Sequence, residues 1–406
     1  YQFYYDNADK LPPFLSNKTD HWGFFNNTYA TIPVPPGDWD IFHDSNDFMK
    51  NYDNYYNLKE PNSSVMKYGI LNKIVYPTGG YATFEYEAHN YRKQVKADRW
   101  NGFESLSGNK YAGGLRIKKI IKSGLGSTPD QQLEYYYVTD YLVNKASSQV
   151  SSGILESQIQ YLFLDYKVST YDGTMQLMKN TFSTVSLLPS GNNLGGSHIG
   201  YSQVIEKRED NSFTLYKYSN YDNGNWDEKA TACLQESYTS YDPCSMKSQE
   251  RGNLTDVEGY DSNGNIVSKK NIVYEKDAAS GNYVRALNIS SPYICGDDND
   301  TQRRYIKGYS YKIYTYLMRP VKESQTLYYP ASGNISSATE KQFAYNNNKL
   351  LNAETLTVSE KGVAKKYTTE TLFTSDIGNI TAYNNMKVKH MLNYPVEIVT
   401  KVDNRV

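Results

Sequence analysis

The run Asp20-His21-Trp22-Gly23 sets a carboxylate, an imidazole and an indole side by side ahead of a glycine, and makes the best candidate for a ligand-contacting cluster. A structural reading outweighs that one: a Trp-Gly pair in a long, proline-containing excursion plugs one end of a β-array, with His21 hydrogen-bonded to backbone. His43-Asp44 repeats the pairing of a hydrolase dyad, but no Gly-x-Ser-x-Gly elbow accompanies it, so it reads as a solvated loop pair. His89, His198 and His390 are scattered, without the spacing of a zinc hydrolase, and read as structural or surface residues.

Asp297-Asp-Asn-Asp300 gathers oxygen ligands that suit Ca²⁺ but lacks the spaced carboxylates and closing Glu of an EF-hand. A solvated loop is the favoured reading, with an adventitious Ca²⁺ site as the other. Three cysteines, Cys233, Cys244 and Cys295, have no CxxC spacing for zinc. Cys233 and Cys244 are close enough to close a short loop in an oxidising compartment, leaving Cys295 odd, and three reduced, partly buried thiols fit equally well. Trp39, Trp100 and Trp226 stand beside turn-like sequence where a ring can serve as a sugar platform, so Trp39 and Trp226 are the candidate glycan contacts; packing at a strand end is the commoner use of such rings. No pair among the 44 acidic residues stands out for glycoside hydrolysis. No residue is assigned catalysis, and no cofactor or metal is expected.

The elements that must carry these residues are strands. Tyr76-Pro-Thr-Gly-Gly-Tyr81, Tyr221-Asp-Asn-Gly-Asn225 and Tyr260-Asp-Ser-Asn-Gly-Asn265 each put an aromatic strand end against a glycine-centred reversal. Tyr supplies 41 of 406 residues against 13 Phe and 4 Trp, so the repeated unit favours an amphipathic ring. In Tyr81-Ala-Thr-Phe-Glu-Tyr-Glu87, Ala82, Phe84 and Tyr86 share one face and Thr83, Glu85 and Glu87 the other, the period of a half-buried strand. Further strands are predicted over 115–121, 133–139, 213–218, 271–275, 309–316 and 370–374, and no segment keeps a helical period beyond about two turns. Asn263-Gly264, Asn223-Gly224 and Asn192-Asn193 tolerate the positive φ of hairpin turns, so consecutive strands should pair antiparallel. Gly79-Gly80 and Gly113-Gly114 lie beside strands with no helix after them, which marks them as turn or bulge devices and not phosphate cradles.

The least regular stretches are 16–64, rich in Pro and Asn, and the Gly/Asn/Ser run 188–197, with a second long loop expected over 289–304. They suggest three parts: an N-terminal strand plus excursion over 1–66, a β-array segment over 67–190 and a second β-array segment over 191–406, all within one continuous architecture.

The segment Gly259-Tyr-Asp-Ser-Asn-Gly-Asn-Ile-Val267 resembles the YD repeat, with looser echoes in Tyr218-Ser-Asn-Tyr-Asp-Asn-Gly-Asn225, Tyr345-Asn-Asn-Asn-Lys-Leu350 and Ser375-Asp-Ile-Gly-Asn-Ile380. Asp20-His-Trp-Gly-Phe-Phe-Asn26, Ile74-Val-Tyr-Pro-Thr-Gly-Gly-Tyr81, Gly113-Gly-Leu-Arg-Ile-Lys-Lys119 and Ile199-Gly-Tyr-Ser-Gln-Val-Ile-Glu206 resemble, in that order, the divergent Rhs/YD-repeat proteins found as large surface or secreted chains in Bacteroidetes. The resemblance implies an all-β, predominantly antiparallel, Tyr-rich array forming part of a spiral β-shell. In some relatives the shell encloses a toxic C-terminal domain released by an aspartyl self-cleavage motif. No core of the DPxG type lies near the C-terminus, so neither cleavage nor toxin carries over to these residues.

Composition narrows the rest. With 43 Lys plus Arg against 44 Asp plus Glu the formal charge is −1, which leaves no basic field for nucleic acid. Mean hydropathy is −0.70, and no run of about 18 apolar residues occurs to span a membrane as a helix. The chain reads as a piece of a longer exported polypeptide, located outside the cell or on its surface. The expected function is structural: a shell or scaffold that encloses a polypeptide or presents a contact surface, partnered by the remainder of its parent chain or by associated surface proteins. A carbohydrate-binding or adhesive β-protein is the alternative, and a glycan-active enzyme the third reading. The residues expected to matter are turn and packing residues: Trp22, Tyr76, Gly79, Gly80, Tyr81, Gly113, Gly114, Tyr221, Gly224, Tyr260 and Gly264.

Overall fold

The computed structural model describes residues 1–31, 53–96, 98–124, 131–159, 161–171, 174–183, 197–232, 244–277, 282–290, 307–329, 335–360, 363–403 and 405. The fold is predominantly β, 54% strand against 12% helical, and its sheets are antiparallel. Among the described residues no closed barrel or solenoid is found. The chain divides into two compact units, each drawn from separate stretches of sequence.

The first unit comprises residues 1–209, 219–252 and 283–315. Its sheet starts as a meander in which Gln2–Tyr5, Leu71–Val75, Tyr81–Val95, Phe103–Ser123, Gln131–Tyr136 and Gln203–Arg208 pair in that order, all antiparallel. The two longest strands carry the core on one flank, where Tyr91, Ala112, Leu155 and Ile199 cluster beneath Trp22, Leu106, Ile159 and Tyr201. Val95, Ile154 and Tyr221 form a neighbouring cluster with Phe103 packed against it.

Between these clusters runs a strand that periodicity did not predict. Gly153–Leu155 pairs parallel with Lys93 and Gln94, and antiparallel with Ile199–Tyr201. This parallel pairing joins strands that are not consecutive in sequence, within a fold that is otherwise antiparallel among the described residues. The whole stretch 151–157 is buried despite its three serines and a glutamate. Its polar groups turn inward to backbone: the Ser151 hydroxyl donates to Asn90 O at 3.1 Å and the Ser152 hydroxyl to Gln203 O at 2.5 Å. Gly153 is required because a side chain there would strike Asn90 O. The same unit holds a hairpin of Leu162–Tyr171 with Thr174–Ser183 and a small sheet of Thr231–Ala232, Lys307–Tyr314 and Tyr283–Ser290.

The second unit comprises residues 210–218, 253–282 and 316–406. Phe213–Tyr218, Leu254–Tyr260, Ile266–Lys276, Met318–Tyr329, Ile335–Tyr345, Leu351–Glu360, Val363–Phe373 and Pro395–Val402 form an open antiparallel sheet in that order. An eight-residue helix, Thr381–Val388, bridges the last two strands, within the two-turn limit read from the sequence.

Register assigns the faces of this sheet, since residues paired across strands point to the same side. Glu323, Lys341, Leu356, Tyr367 and Val402 form one cross-strand row, flanked on the same face by Phe343, Val358 and Ile398. The opposite face carries the row Lys322, Gln342, Thr355, Thr368 and Lys401. There the Thr355 and Thr368 hydroxyls meet at 3.2 Å, and Lys322–Glu340 and Lys401–Glu370 pair at 2.7 Å. Apolar side chains thus concentrate on one face, which also carries Glu323 and the Lys341–Glu354 pair at 3.0 Å. That face is only partly covered: Tyr316 is the last buried apolar residue along the described chain, Leu356 and Tyr367 are half-buried, and Ile398 is 64% exposed.

Candidate functional site

The geometry around Asp20 is built by a tight turn. Asp20 Oδ1 accepts from the backbone N–H groups of Trp22 and Phe24, both at 2.9 Å, while Asp20 N–H donates to Phe24 O at 2.7 Å. The carboxyl is buried completely and its Oδ2 has no hydrogen-bond partner. Burial therefore pushes its pKa up to about 6, against the pull of the Phe24 and Trp22 amides and the nearby His21 and Lys59 charges.

Three histidines from three distant segments gather beside it. His21 Nδ1 shares a 3.0 Å hydrogen bond with the hydroxyl of Tyr161, itself fully buried against Tyr55 and Tyr56. Trp22 stacks on His198 with ring centroids 5.1 Å apart, and His198 Nε2 donates to Gly113 O at 2.8 Å. His89 meets His198 edge-on at 5.8 Å and shares a 2.8 Å bond with the Tyr201 hydroxyl. Arg116 donates to that same hydroxyl at 2.7 Å, which leaves the hydroxyl hydrogen for His89 Nδ1. Burial, helped by the His198 and Arg116 charges, depresses the His89 pKa to about 4, and burial also lowers that of His198. Both rings are neutral at pH 7.

This cluster can exchange a proton near pH 6, and its rings and carboxyl pack against the sheet and one another. Gly113 and Gly114 form a bulge in which Ala88 pairs with Leu115 and His89 with Ala112. A side chain at Gly113 would collide with the Asp20 carboxylate and the Phe24 ring. The bulge seats the Asp20 turn on the sheet. Among the described residues no group of His, Cys, Asp and Glu is placed to hold a metal ion.

A second buried network surrounds Tyr221. Arg99 Nε and Arg251 Nη1 reach the two oxygens of the fully buried Asp227 carboxylate at 2.8 and 2.9 Å. The Tyr221 hydroxyl donates to Asp227 Oδ2 at 3.0 Å and accepts from Arg99 Nη2 at 2.5 Å, while the Arg251 guanidinium lies 4.1 Å from its ring centroid. Burial alone would raise the Asp227 carboxyl, but Arg251 and Arg99 hold it below its usual range. Burial pushes the Tyr221 phenol well above its ordinary value. Every charge here is engaged by another, which is the arrangement of a lock and not of a nucleophile or base.

The Tyr221 turn departs from the strand–turn–strand unit expected of it. Tyr221–Asn223 is a single 3₁₀ turn: Asn220 Oδ1 accepts from Tyr221 N–H and the Asn223 side chain accepts from Asn220 N–H. Gly224 closes it at φ +99°. The other two turns are hairpins as read. Tyr76 and Tyr81 flank the one containing Gly79 at φ +88°, where a side chain on Gly80 would meet Ser123 O at 2.8 Å. Tyr260 stacks on Phe213 at 4.6 Å beside the one containing Gly264.

Trp226 is 43% exposed, with its indole N–H donating to Tyr221 O at 2.7 Å. Part of its ring packs along Gly102, so half of this candidate platform serves the Tyr221 lock. Cys244 is a buried free thiol, pushed up to about 11 by burial and the Asp227 charge. Trp39, Cys233, Cys295, His43-Asp44, Asn192-Asn193 and Asp297–Asp300 lie outside the described residues. Sequence reasoning missed Arg99, Arg116, Tyr161, Tyr201, Asp227 and Arg251, since a lone arginine or tyrosine gives no local signal of partners that lie from 24 residues (Arg251–Asp227) to 140 residues (His21–Tyr161) away. No family model matches the chain, and no curated protein matches it.

Proposed function

We propose that this chain is a non-catalytic structural protein, a wall segment of an exported β-shell or scaffold of the Rhs/YD-repeat type. The observation that carries the reading is the open sheet of the second unit, where Leu356, Tyr367, Ile398 and Val402 gather on one face and remain only partly covered. An open sheet of this kind does not hold together as an isolated layer in water, because each hairpin buries too little by itself. A wall faced by other polypeptide meets that need. The Asp227 cluster supports a structural role as well, since its carboxylate is held between Arg99 and Arg251. No helix among the described residues is long and apolar enough to cross a membrane. Export and enclosure rest on the motif resemblance.

The test is intact-mass analysis, under denaturing conditions, of the native particle after protease treatment. A second polypeptide that survives protease and is released on denaturation supports a wall around cargo. Cleavage of this chain throughout 318–402 in its native setting, with nothing protected, overturns it.

A further inference from the structure

A cleft of about 530 Å³ opens on the first unit where two strands stop pairing. Phe103–Ser123 and Gln131–Tyr136 are in register from Lys122↔Gln131 to Lys119↔Glu134 and then splay apart. Beyond that point one wall carries Arg116 and Lys118 and the other carries Tyr135, Tyr136 and Tyr137. Two contacts cross the gap: the Tyr137 hydroxyl donates to Ile117 O at 2.8 Å, and the Arg116 guanidinium lies 4.3 Å from the Tyr137 ring centroid. The volume lies within the roughly 300–1,000 Å³ usual for small-molecule sites.

The lining chemistry selects the ligand. Glu85, Glu87 and Glu134 face Arg116, Lys118 and Lys119, three carboxylates against three cations. Most are already engaged: Arg116 Nε and Nη2 reach Glu87 at 2.8 and 2.7 Å, and Lys119 lies 3.9 Å from Glu134. An anion entering the cleft would find its cations largely neutralised, and a cation its carboxylates. An extended peptide needs apolar pockets for alternate side chains, yet Val138 is the only aliphatic lining residue. What remains are the half-buried Tyr135 and Tyr136 rings, since Arg116 and Tyr201 cover the Tyr137 ring, and three side-chain amides. These are that of Gln149, the Asn90 Nδ2 beside an Oδ1 that accepts from Arg116, and the Asn109 amide, which donates to Gln149 O and accepts from Ser151 N–H. Hydroxyl groups that donate and accept, carried on a ring that can lie on an aromatic face, match this set.

We infer that the cleft binds a neutral oligosaccharide. The inference stands apart from the wall reading, which concerns the second unit. It also moves the sugar contact away from Trp226.

The test is isothermal titration of the whole chain with three neutral probes, maltohexaose, cellohexaose and chitohexaose. Binding that saturates below about 10 mM for at least one is expected. Lys118→Ala with Gln149→Ala, at two exposed positions, should weaken it about fivefold or more, the loss of one or two hydrogen bonds, with an unchanged circular dichroism spectrum. Trp226→Ala should leave affinity unchanged. The inference fails if none of the three saturates, if the cleft pair has no effect, or if Trp226→Ala alone abolishes binding. Inorganic phosphate or a Ser/Thr hexapeptide displacing the bound sugar would also overturn it, by showing an anion or peptide site.

Discussion

Asp227 is a residue whose removal strands two cations at once. With Arg99 and Arg251 both 3% exposed at the side chain and aimed at its two oxygens, Asp227→Ala leaves buried positive charge without compensation. A loss of about 3–5 kcal/mol is expected in urea unfolding. Asp20 makes a different prediction. Its folded pKa, raised to about 6, means that its contribution is fully present below the unfolded value of 3.8 and is lost as pH rises through 6. His89, depressed to about 4 from 6.5, runs the other way: its contribution is present above 6.5 and is lost as pH falls toward 4. Between pH 4 and 6 the two oppose each other. Asp20→Asn removes one side of the balance while keeping the oxygen that receives the Trp22 and Phe24 amides. The variant should be more stable than the parent at pH 7.5 by about 1–3 kcal/mol and should lose stability more steeply on acidification, read from urea midpoints across pH 4–8. A parallel pH profile for the two proteins would show that Asp20 does not titrate in this range.

At the scale of the element, three hairpins share one mould. Tyr76, Asp261 and Asn346 each donate a backbone N–H to the carbonyl four residues on, and each accepts from the N–H three residues on. The residue at that third step is left-handed in every case: Gly79 at +88°, Gly264 at +85° and Lys349 at +64°. The lysine is the strained member. Lys349→Gly should therefore stabilise the fold by about 0.5–1 kcal/mol, and Gly264→Ala should cost about 1 kcal/mol or more, both measured as shifts in the denaturant midpoint. Two of these turns are legible from Gly-Gly and Asn-Gly, and the third from its Tyr-Asn-Asn-Asn echo even without a glycine. Tyr221-Asp-Asn-Gly is spelled the same way but becomes a 3₁₀ turn, because the Tyr221 ring is drawn into the arginine lock and Asn220 caps the turn. Serine-rich 151–157 carries no strand signal at all. Its burial depends on Asn90 and Gln203 carbonyls that only the finished sheet brings within reach. The histidine cluster was illegible for the same reason: His21, His89 and His198 are neighbours only across a bulge and two strand pairings.

For the whole molecule, the apolar face of the second unit sets the solution behaviour. Exposed Ile398 and Val402 with half-buried Leu356 and Tyr367, beside a free strand edge, favour association between copies. Sedimentation of the chain alone should show mass rising with concentration, and Leu356→Lys with Ile398→Lys should return it toward monomer without loss of strand signal. A parent chain that stays monomeric at about 100 µM would argue that the face is tolerated by water. The pairing order of that sheet has a further consequence for how it is made. From Ile335–Tyr345 onward each strand pairs with the one before it in sequence. The contacts are local, so each strand can dock as soon as it leaves a ribosome or a translocation pore. Ile266–Lys276 differs, because its outer edge stays open until Met318–Tyr329 arrives. The wall can grow in the direction of synthesis, with two pauses, after Phe213–Tyr218 and after Ile266–Lys276, while the intervening segments are made.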